Sequence, residues 1–519
     1  MTPPFAKVLV ANRGEIGVRV LRACRELGVA TVAVASEADR HAVHARLADE
    51  TVIIGPAPPL ESYLRGEAIL DAARRTGAAA IHPGYGFLAE SAPFAAAVRD
   101  AGLVFIGPDP ETIAAMGEKT AARRAMAAAG VPVVPGAELP APGDDGEPDR
   151  AAVAAAGARV GFPLLVKAAY GGGGKGMRLV REASELPAAA AAASREARKA
   201  FGDGAVYLER YLERPRHVEF QIFGDRQGHV VQLGERECSI QRRHQKIIEE
   251  TPSPALTPEL RTRMGEAAVA AARAARYVNA GTVEFLVDAA GDFHFLEMNT
   301  RLQVEHPVTE WVTGLDLVRA QLLVAAGAPL PWRQEEIVPR GHAIECRLYA
   351  EDPAHGFRPS LGRILLLDEP AGPGVRVDSG VAAGDEVTMH YDPLLAKLSV
   401  HGPDRSAAIA RALAALREYA VLGIATNVAY LQAILDHPEF RAGRTHTGFL
   451  DAHLADWTPD GGSDERDALV AAAVHACLAT SRGGATTASG PRAGAGPAAA
   501  AGAASPWARL GRFRLRGLS

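Results

Sequence analysis

The segment Phe295-Leu-Glu297-Met-Asn299-Thr-Arg301-Leu-Gln303-Val-Glu305-His306-Pro307 starts as an apolar strand and then becomes rich in charge. Residues two apart in a strand share a face, so Glu297 and Asn299 point to one side. In the preceding strand, Gly281-Thr-Val-Glu284-Phe-Leu286, the Glu284 side chain points to one face and the apolar Val283 and Phe285 point to the other. Two carboxylates and one amide from neighbouring strands are the oxygen ligands that Mg²⁺ needs beside ATP phosphates. Solvated strand carboxylates are the alternative, but the apolar surroundings disfavour it.

A glycine cluster supplies a second signal. The apolar strand at 163–166 leads into Lys167, and Gly171-Gly-Gly-Gly-Lys-Gly176 follows. Glycines let backbone NH groups converge on phosphate oxygens, and lysines add positive charge. The cluster is not a Walker loop, because no Ser or Thr follows Gly-Lys, and it lacks the first-strand context of a dinucleotide fingerprint. A flexible linker remains the alternative, although the strand ending in lysine favours phosphate binding.

A third segment, Glu235-Arg-Glu-Cys-Ser-Ile-Gln241-Arg-Arg-His-Gln-Lys246, is densely charged. Taken alone, this mixture predicts an exposed charged strand.

The composition excludes several classes of protein. The 519 residues suggest about three domains, and a net charge of -5 does not suit a nucleic-acid binder. No signal peptide or long apolar stretch is present, so we expect neither export nor a membrane span. The four cysteines form no CxxC pair, which argues for reduced thiols in the cytoplasm; they are Cys24, Cys238, Cys346 and Cys477.

Strand and helix patterns alternate over the first 117 residues, which predicts a parallel α/β layer. The predicted elements are strands 7–11, 31–35, 79–82 and 104–106 and helices 14–27, 66–76 and 92–101. Pro, Gly and Asp crowd residues 138–149, which predicts an exposed loop. A second boundary at 329–339 precedes an α+β unit with strands near 341–347, 363–367 and 394–401 and a helix at 404–419. From about residue 458 the chain reads as mostly disordered linker.

Taken together, these segments resemble the biotin carboxylase subunit of acyl-CoA carboxylases, in one order from residue 5 to about 453. Besides the three segments above, the matching blocks are Val10-Ala-Asn-Arg-Gly-Glu-Ile16, Ile81-His-Pro-Gly-Tyr-Gly-Phe-Leu88, Gly117-Glu-Lys119, Arg214-Pro-Arg-His-Val-Glu219, Gly341-His-Ala-Ile-Glu-Cys-Arg347, Ala350-Glu-Asp-Pro353 and Tyr391-Asp-Pro393.

The resemblance implies a multi-domain fold of α/β and α+β units. We expect a pre-ATP-grasp α/β layer (1–117), an ATP-grasp body (118–335) with a mobile lid at about 140–212, a C-terminal α+β biotin carboxylase domain (336–455), and a low-complexity tail (456–519).

Site residues follow from the resemblance position by position. The nucleotide is expected to contact Lys119, Lys167, His217, Gln241 and His244, with Glu209, Arg210 and Leu212 around the adenine and the hinge, and Gly172, Gly173 and Gly174 at the lid tip. The metal positions are Glu284, Glu297 and Asn299. Bicarbonate is expected at Lys246, Arg301, Gln303, Val304 and Glu305, and the biotin ureido ring at Tyr85, Gly86 and Arg347. The chemistry is assigned to Glu305 as general base with Arg301, Lys246 and Arg347. Two positions depart from the family pattern, Tyr170 and Arg210.

The implied activity is carboxylation of biotin with ATP, Mg²⁺ (or Mn²⁺) and bicarbonate, through carboxyphosphate. This would be the first half-reaction of an acyl-CoA carboxylase such as the acetyl-CoA carboxylase of fatty acid biosynthesis. The resemblance implies a homodimer that works with a biotin carboxyl carrier protein and a carboxyltransferase. The alternatives are another ATP-grasp ligase and a regulatory subunit that only binds nucleotide.

A biotinyl carrier presents its lysine in a Met-Lys-Met turn, and no Met-Lys pair occurs in the 519 residues. We therefore predict that this polypeptide carries no covalent biotin when it is made in cells with active biotin ligase. A streptavidin blot measures this, with a known biotinylated carrier as the positive control; a streptavidin-reactive band at 54.4 kDa would contradict the prediction.

Overall fold

The protein is described by a computed structural model that covers residues 2–140, 148–169, 177–459 and residue 474. The expected lid-tip glycines Gly172, Gly173 and Gly174, together with Tyr170, lie outside the described residues. Almost all of the predicted low-complexity tail lies outside them too.

The first layer is a five-stranded parallel sheet with strand order β3-β2-β1-β4-β5. It confirms the predicted alternation, and β3 is the strand that the apolar pattern missed, because its first residues are exposed. The elements are β1 (Lys7–Val10), α1 (Gly14–Glu26), β2 (Ala30–Ala35), α2 (Val43–Leu47), β3 (Glu50–Ile53), α3 (Gly66–Thr76), β4 (Ala80–His82), α4 (Ala92–Asp100), β5 (Val104–Phe105) and α5 (Pro110–Gly117).

The next part of the chain forms a four-stranded antiparallel sheet with the order β6-β9-β7-β8. Helix α7 begins where the Asp149 side chain accepts hydrogen bonds from the NH groups of Ala151 and Ala152. The elements are α6 (Lys119–Ala128), β6 (Gly136–Glu138), α7 (Arg150–Val160), β7 (Leu164–Ala168), β8 (Arg178–Val180), α8 (Leu186–Phe201) and β9 (Val206–Arg210).

The largest sheet has eight strands in the order β14-β13-β10-β11-β12-β15-β22-β20. The first part of the chain that contributes to it contains five of its strands and three helices: β10 (Arg216–Gly224), β11 (Val230–Arg242), β12 (Gln245–Thr251), α9 (Pro258–Ala274), β13 (Asn279–Val287), β14 (Phe293–Asn299), α10 (His306–Thr313) and α11 (Leu317–Ala325). The C-terminal elements are β15 (His342–Tyr349), β16 (Glu351–Asp352), β17 (Arg358–Pro359), β18 (Gly362–Arg363), β19 (Leu366–Asp368), β20 (Val375–Ser379), β21 (Glu386–Val387), β22 (Leu394–Gly402), α12 (Arg405–Glu418), β23 (Ala420–Leu422), α13 (Val428–Asp436), α14 (Pro438–Arg441) and α15 (Phe449–His453).

The predicted boundary at 329–339 does not separate two sheets. Strand β15 pairs with β12, with Ile248 opposite Cys346 and Thr251 opposite Ala343, so the C-terminal strands extend the same sheet. The α+β character of this part agrees with the expectation, whereas the domain limits stay predictions. No helix in the described ranges is long and apolar enough to cross a bilayer.

The prediction that residues 235–246 form an exposed charged strand is wrong. Strand β11 lies in the middle of the large sheet, and Arg236 is 0% exposed. Its guanidinium donates to Glu219 (2.6 Å), and to Gln221, Gln303, Thr309 and Thr282 at 2.7–3.1 Å. Charge density misled the prediction because Arg236 finds its partners inside the fold. One partner is the Glu219 carboxylate, and the other four are uncharged acceptors.

We predict that Arg236→Met will lower the free energy of unfolding by about 3–5 kcal/mol, because Glu219 loses a buried partner. Urea unfolding followed by circular dichroism measures this. Arg99→Met is the matched control, since Arg99 pairs with Glu111 on the surface and should contribute little. Equal losses in the two variants would contradict the prediction.

Candidate active site

A single cavity of about 1070 Å³ gathers all the predicted site residues that the structure describes. They come from the loops after β4 and β14, from α6, and from strands of both antiparallel sheets. Residues far apart in sequence therefore meet as the resemblance implies, although their individual roles remain predictions. The three lid-tip glycines cannot be placed, because they lie outside the described residues.

The metal positions face one another across β13 and β14. Glu284 lies opposite Glu297 in the ladder, and Thr282 lies opposite Asn299. The Asn299 amide donates to Glu284 Oε1 at 2.8 Å, and the Lys119 ammonium lies 3.7 Å from Glu297 Oε2. Carboxylate and amide oxygens on a shared face fit a hard divalent cation such as Mg²⁺.

Lys246 lies at the centre of the charged residues. Its ammonium donates to Glu219, to Glu284 at 2.9 Å and to Glu305 at 2.7 Å, which uses all three of its hydrogens. Burial would lower the pKa of Lys246, but the three carboxylates raise it well above its usual value. The lysine is therefore charged.

Glu305 is held on both oxygens. Lys246 contacts Oε1, and Arg347 donates to Oε2 at 2.9 Å. Burial would raise the pKa of Glu305, yet these two cations lower it. Arg347 in turn donates through Nε to Glu249 at 2.6 Å, so the guanidinium is fixed between two buried carboxylates.

His217 and Glu284 form a second pair in this region, with 2.8 Å between the imidazole Nε2 and Glu284 Oε2. Burial alone would lower the pKa of His217, but the Glu284 carboxylate raises it. The same Glu284 has a pKa well below its usual value, because Lys246 and His217 outweigh the effect of burial.

The expected adenine end is built on β9. Glu209 is buried, and its carboxylate contacts Lys167 and, at 2.5 Å, Arg123. The carboxylate thus holds Lys167 in place beside β9, whose backbone pairs with β6 and β7. Arg210 donates to the Val160 carbonyl at 2.9 Å, and Leu212 lines the cavity nearby.

Gln241 and His244 line the cavity from the hairpin that joins β11 to β12. The tip residues Arg243 and His244 have φ angles of 51° and 67°. Residues other than Gly, Asn and Asp seldom adopt this left-handed backbone conformation, so the turn is strained where it reaches the cavity.

The expected bicarbonate end follows β14. Arg301 donates to Glu90 at 2.9 Å and to the Asn299 side-chain oxygen at 3.1 Å. Gln303 donates to Glu284 at 2.8 Å, and the Val304 carbonyl accepts a hydrogen bond from Lys397 at 2.7 Å.

The expected biotin end is organised by Asn12. Its amide donates to the carbonyls of Pro83 and Tyr85, both at 2.7 Å. Gly86 has a φ of 67°, which glycine adopts without strain. The Tyr85 hydroxyl is buried and has no hydrogen-bond partner among the described residues.

Sequence reasoning missed several residues that hold the site together, among them Glu90, Glu219, Arg236, Glu249 and Lys397. Glu219 could have been found, because it is two residues after His217 in one strand and shares its face. Glu90, Glu249 and Lys397 reach the site through tertiary packing, for which the sequence gives no local signal.

The fold and the charged cavity define an ATP-grasp enzyme, and the comparisons with known families agree. Residues 118–333 match the model of the carbamoyl-phosphate synthase L chain ATP-binding domain. Residues 4–113 match the biotin carboxylase N-terminal domain, and residues 345–452 match its C-terminal domain.

Similar proteins narrow the class further. A biotin carboxylase from Nostoc sp. is 52% identical over 446 residues, which cover 86% of this chain and 98% of that protein. The mitochondrial methylcrotonoyl-CoA carboxylase subunit alpha of Mus musculus is 49% identical over 471 residues, or 91% of this chain; the chain spans only 65% of that subunit's length. The crystal structure of the biotin carboxylase domain dimer of Hydrogenobacter thermophilus 2-oxoglutarate carboxylase, with MgADP, ADP and bicarbonate, has a TM-score of 0.83 and 46% identity and covers 88% of this chain and 99% of that one. The chain belongs to the biotin carboxylase family of ATP-grasp ligases, which confirms the predicted family and fold class.

Glu15, at the start of α1, is a buried carboxylate on the cavity wall. Neither oxygen has a hydrogen-bond partner among the described residues. Burial raises the pKa of Glu15 to about 7, and the nearby Lys397 opposes the rise. The folded protein thus keeps a proton here that the unfolded chain releases near pH 4.5, so this group's contribution to stability is lost as the pH rises through 7.

We predict that Glu15→Gln will remove this loss. Between about pH 5 and pH 8 the unfolding free energy of the wild type should fall by roughly 3 kcal/mol relative to the variant. Urea unfolding across this pH range measures the difference, with the exposed Glu67→Gln as control. Parallel pH profiles for wild type and Glu15→Gln would contradict the assignment.

Proposed function

We propose that this enzyme uses MgATP and bicarbonate to carboxylate biotin on a separate carrier protein. The observation that carries the proposal is the position of Glu305, a buried carboxylate held by Lys246 and Arg347 beside the carboxylate and amide pair of β13 and β14. One cavity thus offers a base, a phosphate-binding cation and a metal-binding face.

Nucleotide binding is assigned to the lysines. Lys119, Lys167 and Lys246 bring positive charge to the β- and γ-phosphates, while Glu284, Glu297 and Asn299 would hold Mg²⁺, which neutralises charge on the transferred phosphoryl group. Each of these lysines contacts a carboxylate. When ATP binds, its phosphate oxygens would therefore have to displace these carboxylates from the lysines.

Glu305 is assigned as the base that takes the proton of bicarbonate. Its pKa is low while Lys246 and Arg347 both contact it. When Lys246 turns to the phosphates, one of these cations is withdrawn and Glu305 becomes more basic. The bicarbonate oxygen then attacks the γ-phosphorus, which gives carboxyphosphate and ADP. Arg301 and the main chain of Val304 hold the anion during this step.

Arg347 is assigned to the second step. Carboxyphosphate breaks down to CO₂ and phosphate, and the phosphate accepts the proton of the ureido nitrogen. The resulting enolate oxygen of biotin needs a cation, and Arg347 supplies it near Tyr85 and Gly86. New N–C bond formation between the ureido nitrogen and CO₂ gives carboxybiotin.

We place this reaction as the first half-reaction of an acyl-CoA carboxylase, completed by a carrier and a carboxyltransferase. The 49% identity to a methylcrotonoyl-CoA carboxylase subunit supports this choice, although a 2-oxoglutarate carboxylase domain is similar as well. A homodimer is proposed because that domain was solved as a dimer. We propose the cytoplasm as the location, and acetyl-CoA as the first acceptor to test.

We predict that Arg347→Ala will lower biotin-dependent ADP formation by about 100-fold or more, with the KM for MgATP changed less than about threefold. A coupled assay with free biotin, and with a biotinylated carrier, measures both constants. Arg261→Ala is the control, because Arg261 also pairs with a buried glutamate, Glu235, but does not line the cavity.

A wild-type enzyme whose ADP formation does not respond to biotin would refute the proposed function. A fall in MgATP affinity as large as the fall in turnover would instead move Arg347 into the nucleotide site.

A further inference from the structure

Lys397, on β22, is a buried lysine behind the cavity. Its side chain is 0% exposed, and it does not line the cavity wall. Its ammonium donates to the Val304 carbonyl at 2.7 Å and lies 3.4 Å from Glu15 Oε2 and 3.9 Å from Asp378 Oδ2. A buried ammonium is costly unless it is paired, so these contacts explain why it is tolerated.

The strand register gives Lys397 a particular relation to Arg347. The two residues lie directly opposite each other in the β15–β22 ladder. Arg347 holds the side chain of Glu305, whereas Lys397 holds the main chain of the preceding residue, Val304. Two cations on neighbouring strands therefore fix two consecutive residues of the loop between β14 and α10.

We propose that Lys397 is a positioning residue for bicarbonate: it fixes the main chain at Val304 so that this loop and the Glu305 carboxylate keep the geometry needed to bind the anion. The proposal rests on the function proposed above, and it adds a residue that touches neither substrate nor nucleotide.

Lys397 also connects three separate parts of the chain. Glu15 belongs to α1 of the first layer, Val304 to the loop after β14, and Lys397 to the C-terminal strands. Through Lys397, the loop between β14 and α10 is thus connected to the first and last parts of the fold. Since a shift of about 1 Å in a reacting group can cost roughly 100-fold in rate, loss of this tie should be visible in kinetics.

The test compares Lys397→Met, the double variant Glu15→Gln/Lys397→Met and the control Lys7→Met. The double variant also replaces Glu15, so that this buried carboxyl group is not left without its lysine partner. Lys7 is a matched control, because its ammonium also contacts a glutamate, Glu50, and a backbone carbonyl, that of Thr76, at the far end of the first sheet.

The readouts are the KM for bicarbonate in ATP cleavage and the Kd for MgATP by calorimetry. In the folded double variant we expect the KM for bicarbonate to rise at least about tenfold, with the Kd for MgATP within about twofold of wild type. Lys7→Met should match wild type in both.

An unchanged KM for bicarbonate in the folded double variant, with an active wild type, overturns the positioning role and leaves the proposed function intact. An equal loss of MgATP affinity also overturns it, since a general structural defect would have that effect. A wild type that shows no bicarbonate-dependent ATP cleavage removes the proposed function and this inference together.

Discussion

Lys246 donates to three buried carboxylates, and the arrangement of the cavity depends on that contact. Without the ammonium, the buried carboxylates of Glu219, Glu284 and Glu305 would lose the one cation that all three share, and their mutual repulsion would raise their pKa values. Arg236 stabilises the same cluster, because its guanidinium donates a hydrogen bond to Glu219. The acidic and basic side chains around Lys246 therefore already form a balanced set of charges.

The large sheet explains why this balance includes the C-terminal part of the chain. Strand β15 joins β12, and this pairing brings Arg347 next to Glu249 and Glu305. If the C-terminal strands packed loosely against the rest of the fold, the Arg347 guanidinium would not be held in one position beside Glu249 and Glu305. The cation expected to act on biotin thus lies in the same eight-stranded sheet as β14, the strand that precedes Glu305 in the chain.

Much of this could be predicted from the sequence, because the signals were local. Alternating strands and helices gave the first layer, and the two-residue period placed Glu297 beside Asn299. Glu249 and Lys397 escaped prediction, since their importance comes from neighbours more than 50 residues away in the chain, Arg347 and Val304. The charged run at 235–246 was misjudged for a related reason: the partners of Arg236 lie on other elements, 15 to 73 residues away, so local charge density indicated solvent exposure.

The four-stranded sheet β6-β9-β7-β8 shares no strand ladder with the eight-stranded sheet in the described part of the chain. Separating the two sheets breaks side-chain contacts and a few loop hydrogen bonds, whereas dividing the larger one would break a whole ladder. We therefore expect the amides of the smaller sheet to exchange with solvent faster than those of the large sheet, because the smaller sheet can open without breaking a ladder of the larger one. If Lys167 on β7 contacts the nucleotide as proposed, such an opening would release that contact, whereas the contacts of Lys246 and Arg347 with Glu305 lie outside the smaller sheet.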